Sequence, residues 1–301
     1  MEEERIIEPV DRELLRAELT EDKMIRRTRN GGNEIYVTTA SVSPSVMREI
    51  GRLREEAFRD AGGGTGKSLD IDVDDIAPEG YRQLIVWDPD ASEIIGGYRY
   101  IVSNSSHPTN ISTEHYFEFT DRFRSDYLPR LIELGRSFVQ PRYQGRRGGI
   151  KSLYALDNLW DGLGALVAAF PDMNYFLGKV TMYANYDVEA RNKLHYFLDK
   201  YFRDTEGLVL PKHPLPAQWD TASMERIFTG DDYAADHRIL TQQLRSHGVT
   251  IPPMINAYMN LSSTMKVFGT VVNPDFGEVF ETGILITIAD IYQSKKERYL
   301  P

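Results

Sequence analysis

The sequence contains no cysteine, which excludes a disulfide framework, a thiolate metal site and a thiol nucleophile. It has no apolar run that approaches the roughly 20 residues needed by a membrane-spanning helix. The first ten residues, MEEERIIEPV, lack the basic start and apolar core of a signal peptide. The six histidines show no metal-ligand spacing, so we expect no metal site. These absences predict a cytoplasmic protein, for which any membrane contact would be peripheral, at the inner membrane face.

Basic charge is scarce as well. The chain carries 35 Lys and Arg against 45 Asp and Glu, a net charge of -10. This balance argues against a general nucleic-acid binder, which normally presents a basic face. The composition, with 41% hydrophobic and 27% charged residues, is ordinary for a globular protein, and 301 residues suffice for a large core.

The order of apolar segments and turn signals predicts an α+β fold, in which helices flank a central mixed, mostly antiparallel sheet and helical insertions interrupt the order. Residues 1–32 are highly charged and are interpreted as a lead-in. Residues 33–301 are predicted to form a single domain with a long excursion at about 203–250. The predicted elements are a helix at 44–60, strands at 81–88 and 93–102, a central strand at 131–139, a helix at 151–170, a strand at 175–183, a helix at 187–202, and strands at 265–272 and 279–289.

A turn rich in glycine and arginine separates the central strand from the helix that follows it. Free backbone N–H groups and the helix dipole favour an anion at such a helix start. Glycines let the backbone approach closely, and the basic side chains add charge. The turn therefore predicts a phosphate-binding site, although a solvated charged turn stays an alternative. The residues that form it are Arg142, Gly145, Arg146, Arg147, Gly148, Gly149 and Lys151.

Two other motifs are weaker. Residues 61–68 read AGGGTGKS, which resembles a phosphate-binding P-loop, but they follow a helix and precede a segment without helical period. We interpret them as a surface loop. The aspartates at 70–75 have the wrong spacing for a calcium loop, because Asp75 and Tyr81 stand where glycine and glutamate belong. Such clustered carboxylates could instead hold a cationic substrate.

The ordered set of motifs resembles a known family. The turn containing Val139, Pro141, Tyr143 and Gly145 is similar to the donor-binding turn of the GNAT acyltransferase fold. A narrower resemblance, from about residue 44 onward, is to the hemolysin-like N-acyltransferases, which include ornithine- and glycine-lipid synthases and are related to acyl-homoserine-lactone synthases. It is carried by an arginine-rich helix with Phe58, the aspartate cluster, YRQLIVWD and IIGGYR, Glu133-x-x-Arg136, YFLGKVTMYANYD, IPPMINAYMNL and NPDFG.

The resemblance implies transfer of a 3-hydroxy fatty acyl group from acyl carrier protein or acyl-CoA to the amine of an amino acid, for aminolipid biosynthesis. It implies no permanently bound cofactor, since the phosphopantetheine thioester is a co-substrate. An acyl-homoserine-lactone-type signal synthase and a non-catalytic module that binds acyl carrier protein or lipid remain alternatives.

Residue roles follow from the residues and the resemblance together. A carboxylate base is needed because an α-amine is largely protonated at neutral pH, and Glu133, with Arg136, is the leading candidate. The alternative is that Glu133 and Arg136 form a structural ion pair. Backbone N–H groups near Phe138 and Val139 are expected to polarise the thioester carbonyl and, with the basic turn, to bind the donor. The basic residues of the turn either bind the phosphopantetheine phosphate or form the contact surface for the acidic carrier protein. The candidate acceptor-binding residues are Asp70, Asp72, Asp75 and Arg99.

Overall fold

The computed structural model describes residues 3–103, 111–145 and 149–300. Arg146, Arg147 and Gly148, three of the predicted donor-binding residues, lie outside the described residues. The strands are β1 (Met24–Arg27), β2 (Glu34–Thr38), β3 (Arg82–Asp88), β4 (Glu93–Val102), β5 (Phe117–Phe119), β6 (Leu131–Val139), β7 (Tyr175–Met182), β8 (Val209–Pro211), β9 (Lys266–Asn273) and β10 (Val279–Thr287). The helices are α1 (Arg12–Glu18), α2 (Pro44–Ala61), α3 (Val73–Ile76), α4 (Gly149–Ala169), α5 (Val188–Phe202), α6 (Thr221–Ile227), α7 (Tyr233–Ser246), α8 (Pro253–Met259) and α9 (Gln293–Tyr299).

Eight strands form one sheet in the order β1-β2-β3-β4-β6-β7-β10-β9. Every neighbouring pair is antiparallel except β6 and β7, which run parallel. The short strands β5 and β8 pair separately. The predicted α+β fold with a mixed, mostly antiparallel sheet is therefore confirmed.

Helices cover the sheet on both faces. On one face, α2 begins with Pro44 at its first turn, ends at Gly62 in the left-handed conformation, and buries Val46, Ile50 and Leu53. Together with α1, it packs against β3 and β4 there. On the other face, α4, α5, α7 and α8 form the largest apolar core with the sheet. Burial of these apolar stripes is the main force that holds the layers together.

The central strand β6 is irregular at one point. Arg136 has a φ of 51°, and the pairing of β4 with β6 shifts between Gly97 and Arg99, so β6 carries an extra residue. Such a bulge bends the strand and redirects its side chains. The parallel pairing of β6 with β7 ends at Leu134 and Gly178. Beyond this point the two strands part, and the sheet opens.

The charged segment predicted at residues 1–32 and the excursion predicted at about 203–250 both contain regular elements. Strand β1 pairs with β2, and α1 packs on α2, so both contact the main sheet layers. The excursion at about 203–250 contains β8, α6 and α7. The predicted boundary at residue 32, between the lead-in and the domain, stays a prediction. Within the described ranges, no helix is both long enough and apolar enough to cross a membrane.

Candidate active site

A cavity of about 650 Å³ lies where β6 and β7 part. Its walls come from both faces of the sheet, because α2 lines it on one side and α4 and α8 line it on the other. A volume of this size is typical of small-molecule sites. The gap between the strands thus joins two chambers of different character.

The chamber on the α4 and α8 side is mostly apolar. It is lined by residues of α4, of the segment that leads into α8, and of the facing strands. These surfaces offer a hydrocarbon chain burial without a polar partner. The lining residues are Leu134, Ala155, Leu156, Leu159, Val180, Pro252, Pro253, Met254, Tyr258 and Ile284.

The opposite chamber is polar. Glu281, on β10, is only 4% exposed, and its Oε1 accepts a hydrogen bond of 2.8 Å from Asn273. Its Oε2 is buried and has no hydrogen-bond partner among the described residues. Tyr116 donates to the Asn273 side-chain oxygen at 2.7 Å. Burial, together with the nearby Glu281 and Asp275 carboxylates, raises the pKa of Tyr116 to about 12.

The predicted acceptor residues form a network of ion pairs at the edge of this chamber. Arg99 is 2.7 Å from Asp72 and 3.2 Å from Asp75, and Arg54 is also 3.2 Å from Asp75. Burial alone would raise the pKa of Asp75, but Arg54 and Arg99 hold it well below its usual range. Burial would lower the pKa of Arg99, whereas Asp75 and Asp72 raise it. These carboxylates therefore form ion pairs with arginines of the protein itself, not with a substrate.

Of this network, Asp72 and Arg99 line the cavity, whereas Asp70 and Asp75 do not. Asp72 caps α3 by accepting from the backbone of Asp74 and Asp75, which explains the local spacing of the aspartates. The described residues contain no group of three or more His, Asp or Glu side chains that could hold a metal ion.

Arg136 lines the cavity, but it does not pair with Glu133. Its Nε lies 3.3 Å from Asp70, and its guanidinium stands 4.5 Å from the centre of the Phe276 ring. Burial raises the pKa of Asp70, and the charge of Arg136 opposes this shift. The alternative of a Glu133–Arg136 ion pair is therefore wrong: the bulge at Arg136 aims its side chain at Asp70 and the aromatic ring.

Glu133, the predicted base, is completely buried and does not line the cavity. Its two oxygens accept hydrogen bonds from the Tyr81 hydroxyl and from the backbone and hydroxyl groups of Ser112 and Thr113. Burial raises the pKa of Tyr81 well above its ordinary value, and the neighbouring Glu133 charge adds to the shift. A carboxylate with this many donors has no capacity left for a substrate amine, so the geometry assigns Glu133 a structural task.

In the described part of the basic turn, two basic side chains form ion pairs with acidic residues of the protein. Arg142 is 2.6 Å from Glu93, and Lys151 forms an ion pair with Asp88. Neither side chain lines the cavity, in contrast to the predicted donor residues Phe138, Val139 and Gly145. Gly149 begins α4, and a Cβ there would meet no atom of the described residues within 4 Å.

The P-loop-like segment is occupied by the protein's own carboxylate. Glu55, on α2, accepts hydrogen bonds from the backbone N–H groups of Thr65 and Gly66 and from the Thr65 hydroxyl. A phosphate would need the same N–H groups. The loop follows α2, as its sequence context predicts, and its anion site is filled by Glu55.

The sequence analysis did not single out Lys179, Glu281, Tyr116 or Asn273. A signal exists for the first two, because each is a lone charged residue in a strand that is otherwise apolar or small, YFLGKVTM and VFETGILIT. A charge at such a position faces solvent, a cavity or buried polar partners, as Glu133 does. Which of these applies depends on the pairing of β7 with β10, and no local pattern shows it.

Comparison with known proteins agrees with this fold. Residues 53–153 match the family model of the acetyltransferase (GNAT) domain. The protein is therefore an acyltransferase of the GNAT class.

The relationship to full-length proteins is closer. The chain is 50% identical to a glycine N(alpha)-acyltransferase of Bacteroides thetaiotaomicron, over 99% of this chain and 90% of the relative. It is 49% identical to a glycine N(alpha)-acyltransferase of Phocaeicola vulgatus, over 99% of this chain and 93% of the relative. The chain belongs to this family of amide-forming N-acyltransferases that act on an amino acid. Among solved structures, the acyl-homoserine-lactone synthase LasI aligns with a TM-score of 0.39 and 12% identity, over 84% of this chain and 89% of LasI.

Proposed function

We propose that the protein transfers a 3-hydroxy fatty acyl group from the phosphopantetheine thioester of acyl carrier protein to the α-amine of glycine. The N-acyl glycine would feed aminolipid synthesis. The observation that carries this proposal is the single cavity that joins an apolar chamber to a polar one through the gap between β6 and β7. Glycine is the acceptor named for both relatives that share about half of their residues with this chain.

Thioester aminolysis needs a held acyl carbonyl, a neutral amine and stabilisation of a tetrahedral oxyanion. Where β6 leaves β7, the β7-facing edge of Ser137, Phe138 and Val139 is no longer covered by a parallel partner. Backbone N–H groups at such an edge can donate to a carbonyl or an oxyanion. We therefore place the acyl carbonyl in the gap.

The donor's pantetheine arm would run along this edge towards the start of α4. Tyr143, Gln144, Gly145 and Ser152 line the cavity at that end. The helix start favours the donor's phosphate. Arg142 and Lys151 stand outside the cavity, so they suit contact with an acidic carrier protein better than contact with the arm itself. This placement favours carrier protein over CoA as the donor.

The fatty acyl chain would occupy the apolar chamber between α4 and α8. Leu156, which lines this chamber, offers a test of chain length. We expect Leu156→Trp to lower kcat/KM for a long-chain donor about 10-fold relative to a short-chain donor, because the indole fills space that only the longer chain uses. Val188→Trp, at an exposed position outside the cavity, is the matched control. An equal effect of Leu156→Trp on both donors would place the acyl chain elsewhere.

The direct experiment incubates the purified protein with 3-hydroxyacyl carrier protein or 3-hydroxyacyl-CoA and a panel of amino acids. Mass spectrometry should show N-acyl glycine, with faster formation from the carrier-protein donor. A product made on another amino acid would overturn the choice of glycine. Equal or faster use of CoA would overturn the choice of carrier protein, and a released acyl lactone would overturn the proposed reaction.

A further inference from the structure

Glycine is a zwitterion, so a site for it needs one cation and one anion that the protein does not already use. Most charged side chains around the polar chamber already form ion pairs within the protein. Arg99, Arg136 and Asp72 belong to the ion-pair network described above. Asp275 is exposed and accepts a hydrogen bond from Tyr116 at 3.4 Å. Lys179 and Glu281, on neighbouring strands, are not members of the ion-pair network.

Lys179 is a half-buried lysine on β7 that lines the cavity. Its Nζ lies 3.3 Å from the Ser112 hydroxyl and 3.5 Å from the Thr113 hydroxyl. These contacts hold the ammonium group in place without neutralising it. An ammonium needs an anionic partner when water is displaced, and an incoming carboxylate would provide one.

Glu281 offers the opposite charge. Its Oε1 is held by Asn273, which is held in turn by Tyr116, so the carboxylate has a fixed orientation. Its Oε2 is buried and has no hydrogen-bond donor among the described residues, and Glu281 is one of the residues that line the cavity. A buried carboxylate oxygen without a donor is costly, so this atom is poised to accept a hydrogen bond from a bound ammonium group.

The pairing of β7 with β10 places the two groups side by side. Glu281 lies opposite Thr181, and Gly283 lies opposite Lys179, so Lys179 and Glu281 are diagonal neighbours on one face of the sheet. Diagonal neighbours are about 7–8 Å apart. Although both side chains are described, the structure shows no ion pair between them. The Lys179 nitrogen and the Glu281 carboxylate oxygens are therefore not in direct contact, and a small zwitterion can bridge a cation and an anion on such neighbouring positions.

We infer that Lys179 and Glu281 form the amino-acid acceptor site: Lys179 binds the α-carboxylate, and Glu281 binds the α-ammonium group and removes its proton. This inference rests on the proposed function, and it replaces the aspartate cluster as the acceptor site. Glu133 becomes a positioning residue, because its oxygens anchor the Ser112 and Thr113 hydroxyls that hold Lys179.

The reaction balances in these terms. Glu281 takes one proton from the ammonium and releases it to solvent, and the neutral amine attacks the thioester carbonyl. The C–N bond forms, and an oxyanion develops. Its collapse breaks the C–S bond, while a second proton leaves the nitrogen through Glu281 and reaches the departing thiolate. The products are the N-acyl amino acid, the free thiol and one proton.

The test of the cation uses glycine and glycinamide, which lacks the negative carboxylate. In the wild-type protein we expect glycine to be strongly preferred. Lys179→Met should raise KM for glycine about 10- to 100-fold and abolish most of the preference over glycinamide, because a charge-assisted contact is lost. Lys266→Met, a lysine on β9 outside the cavity, is the matched control and should keep the preference.

The test of the anion is a pH profile. Glu281→Gln should lower kcat about 100-fold or more near neutral pH and regain part of it at higher pH, where more amine is free without a base. Glu118→Gln, an exposed glutamate on β5, is the control. Both variants must keep the wild-type circular dichroism spectrum and donor binding.

The outcomes separate the two claims. If the wild-type protein forms no N-acyl amino acid from any thioester, the proposed function fails. If it does, but Lys179→Met keeps the preference for glycine over glycinamide, or Glu281→Gln keeps kcat and its pH profile, the acceptor site is wrong and the proposed function stands.

Discussion

Two buried glutamates on the same sheet have opposite surroundings. Glu133, on β6, accepts hydrogen bonds from Tyr81, Ser112 and Thr113 and lies away from the cavity. Glu281, on β10, lines the cavity, accepts one hydrogen bond through Oε1, and has no hydrogen-bond partner for Oε2 among the described residues. A carboxylate on a central strand is therefore no sign of catalysis by itself. What matters is the hydrogen-bonding capacity that the fold leaves unused.

The same contrast separates the two charged regions around the cavity. The aspartates at 70–75 form ion pairs with Arg54, Arg99 and Arg136. These pairs stabilise the positions of α3 and of the bulge in β6. Within the described part of the chain, neither Lys179 nor Glu281 forms an ion pair. Paired charges fix the walls of the site, and unpaired charges are left for a substrate.

The largest expected difference between Glu133 and Glu281 is in their contribution to stability. Glu133→Gln should lower the free energy of unfolding by about 4 kcal/mol, because an amide nitrogen cannot accept from the donors that now converge on the carboxylate. Urea unfolding followed by circular dichroism measures it. Glu281→Gln is the counterpart and should change stability by about 1 kcal/mol or less. Equal losses in the two variants would remove the distinction between the two glutamates.

Asp75→Asn should have the next largest effect, a loss of about 3 kcal/mol, because it leaves the buried Arg54 and Arg99 without their shared anion. The pKa of Asp75 in the folded protein lies below its ordinary value of 3.8. Its contribution is therefore complete above that pH and is lost as the pH falls through the folded value. The stability difference between wild type and variant should be constant at neutral pH and shrink below about pH 4.

Acid and neutral urea unfolding of both proteins measure this dependence. A difference that stays constant down to acid pH would show that the loss does not come from the charge of Asp75. A difference below about 1 kcal/mol at neutral pH would show that the network contributes little.

The smallest effect concerns the support of Glu281. Tyr116→Phe removes the hydroxyl that holds Asn273, two contacts away from the free oxygen. We expect a loss of about 1 kcal/mol in transition-state stabilisation, or a roughly 5-fold lower kcat, with KM for the donor unchanged. Steady-state kinetics provide the check. Tyr292→Phe, at an exposed position outside the cavity, is the control, and an unchanged kcat in Tyr116→Phe would leave Asn273 as the only support of Glu281.

Much of the fold could be predicted from the sequence because its signals are local. The strands β3, β4, β6, β7, β9 and β10 and the helices α2, α4 and α5 follow apolar runs, periodicity and turn residues. The short elements β1, β5, β8 and α9 have weak patterns of their own and form through tertiary contacts. The resemblance to N-acyltransferases rests on short motifs in a fixed order along the chain. Such motifs can be recognised without knowing which strands pair in the fold.

The site was harder to predict, since it depends on partners that are distant in sequence. Asp72, Arg99 and Arg136 do reach the cavity. No motif shows that Ser112 and Thr113 fill the hydrogen-bonding capacity of Glu133. Nor does any motif show that Arg142 pairs with Glu93. Lys179 and Glu281 are 102 positions apart (281 minus 179) and meet only through the register of β7 and β10.

The most direct test of this account is a crystal structure with glycine and a non-reactive thioether analogue of the acyl donor. The account predicts the glycine carboxylate within hydrogen-bond distance, about 3 Å, of the Lys179 Nζ, with its nitrogen at a similar distance from the Glu281 Oε2. The acyl chain should lie between α4 and α8. Glycine bound to Arg99 or to the aspartates at 70–75, with Lys179 and Glu281 empty, would contradict it.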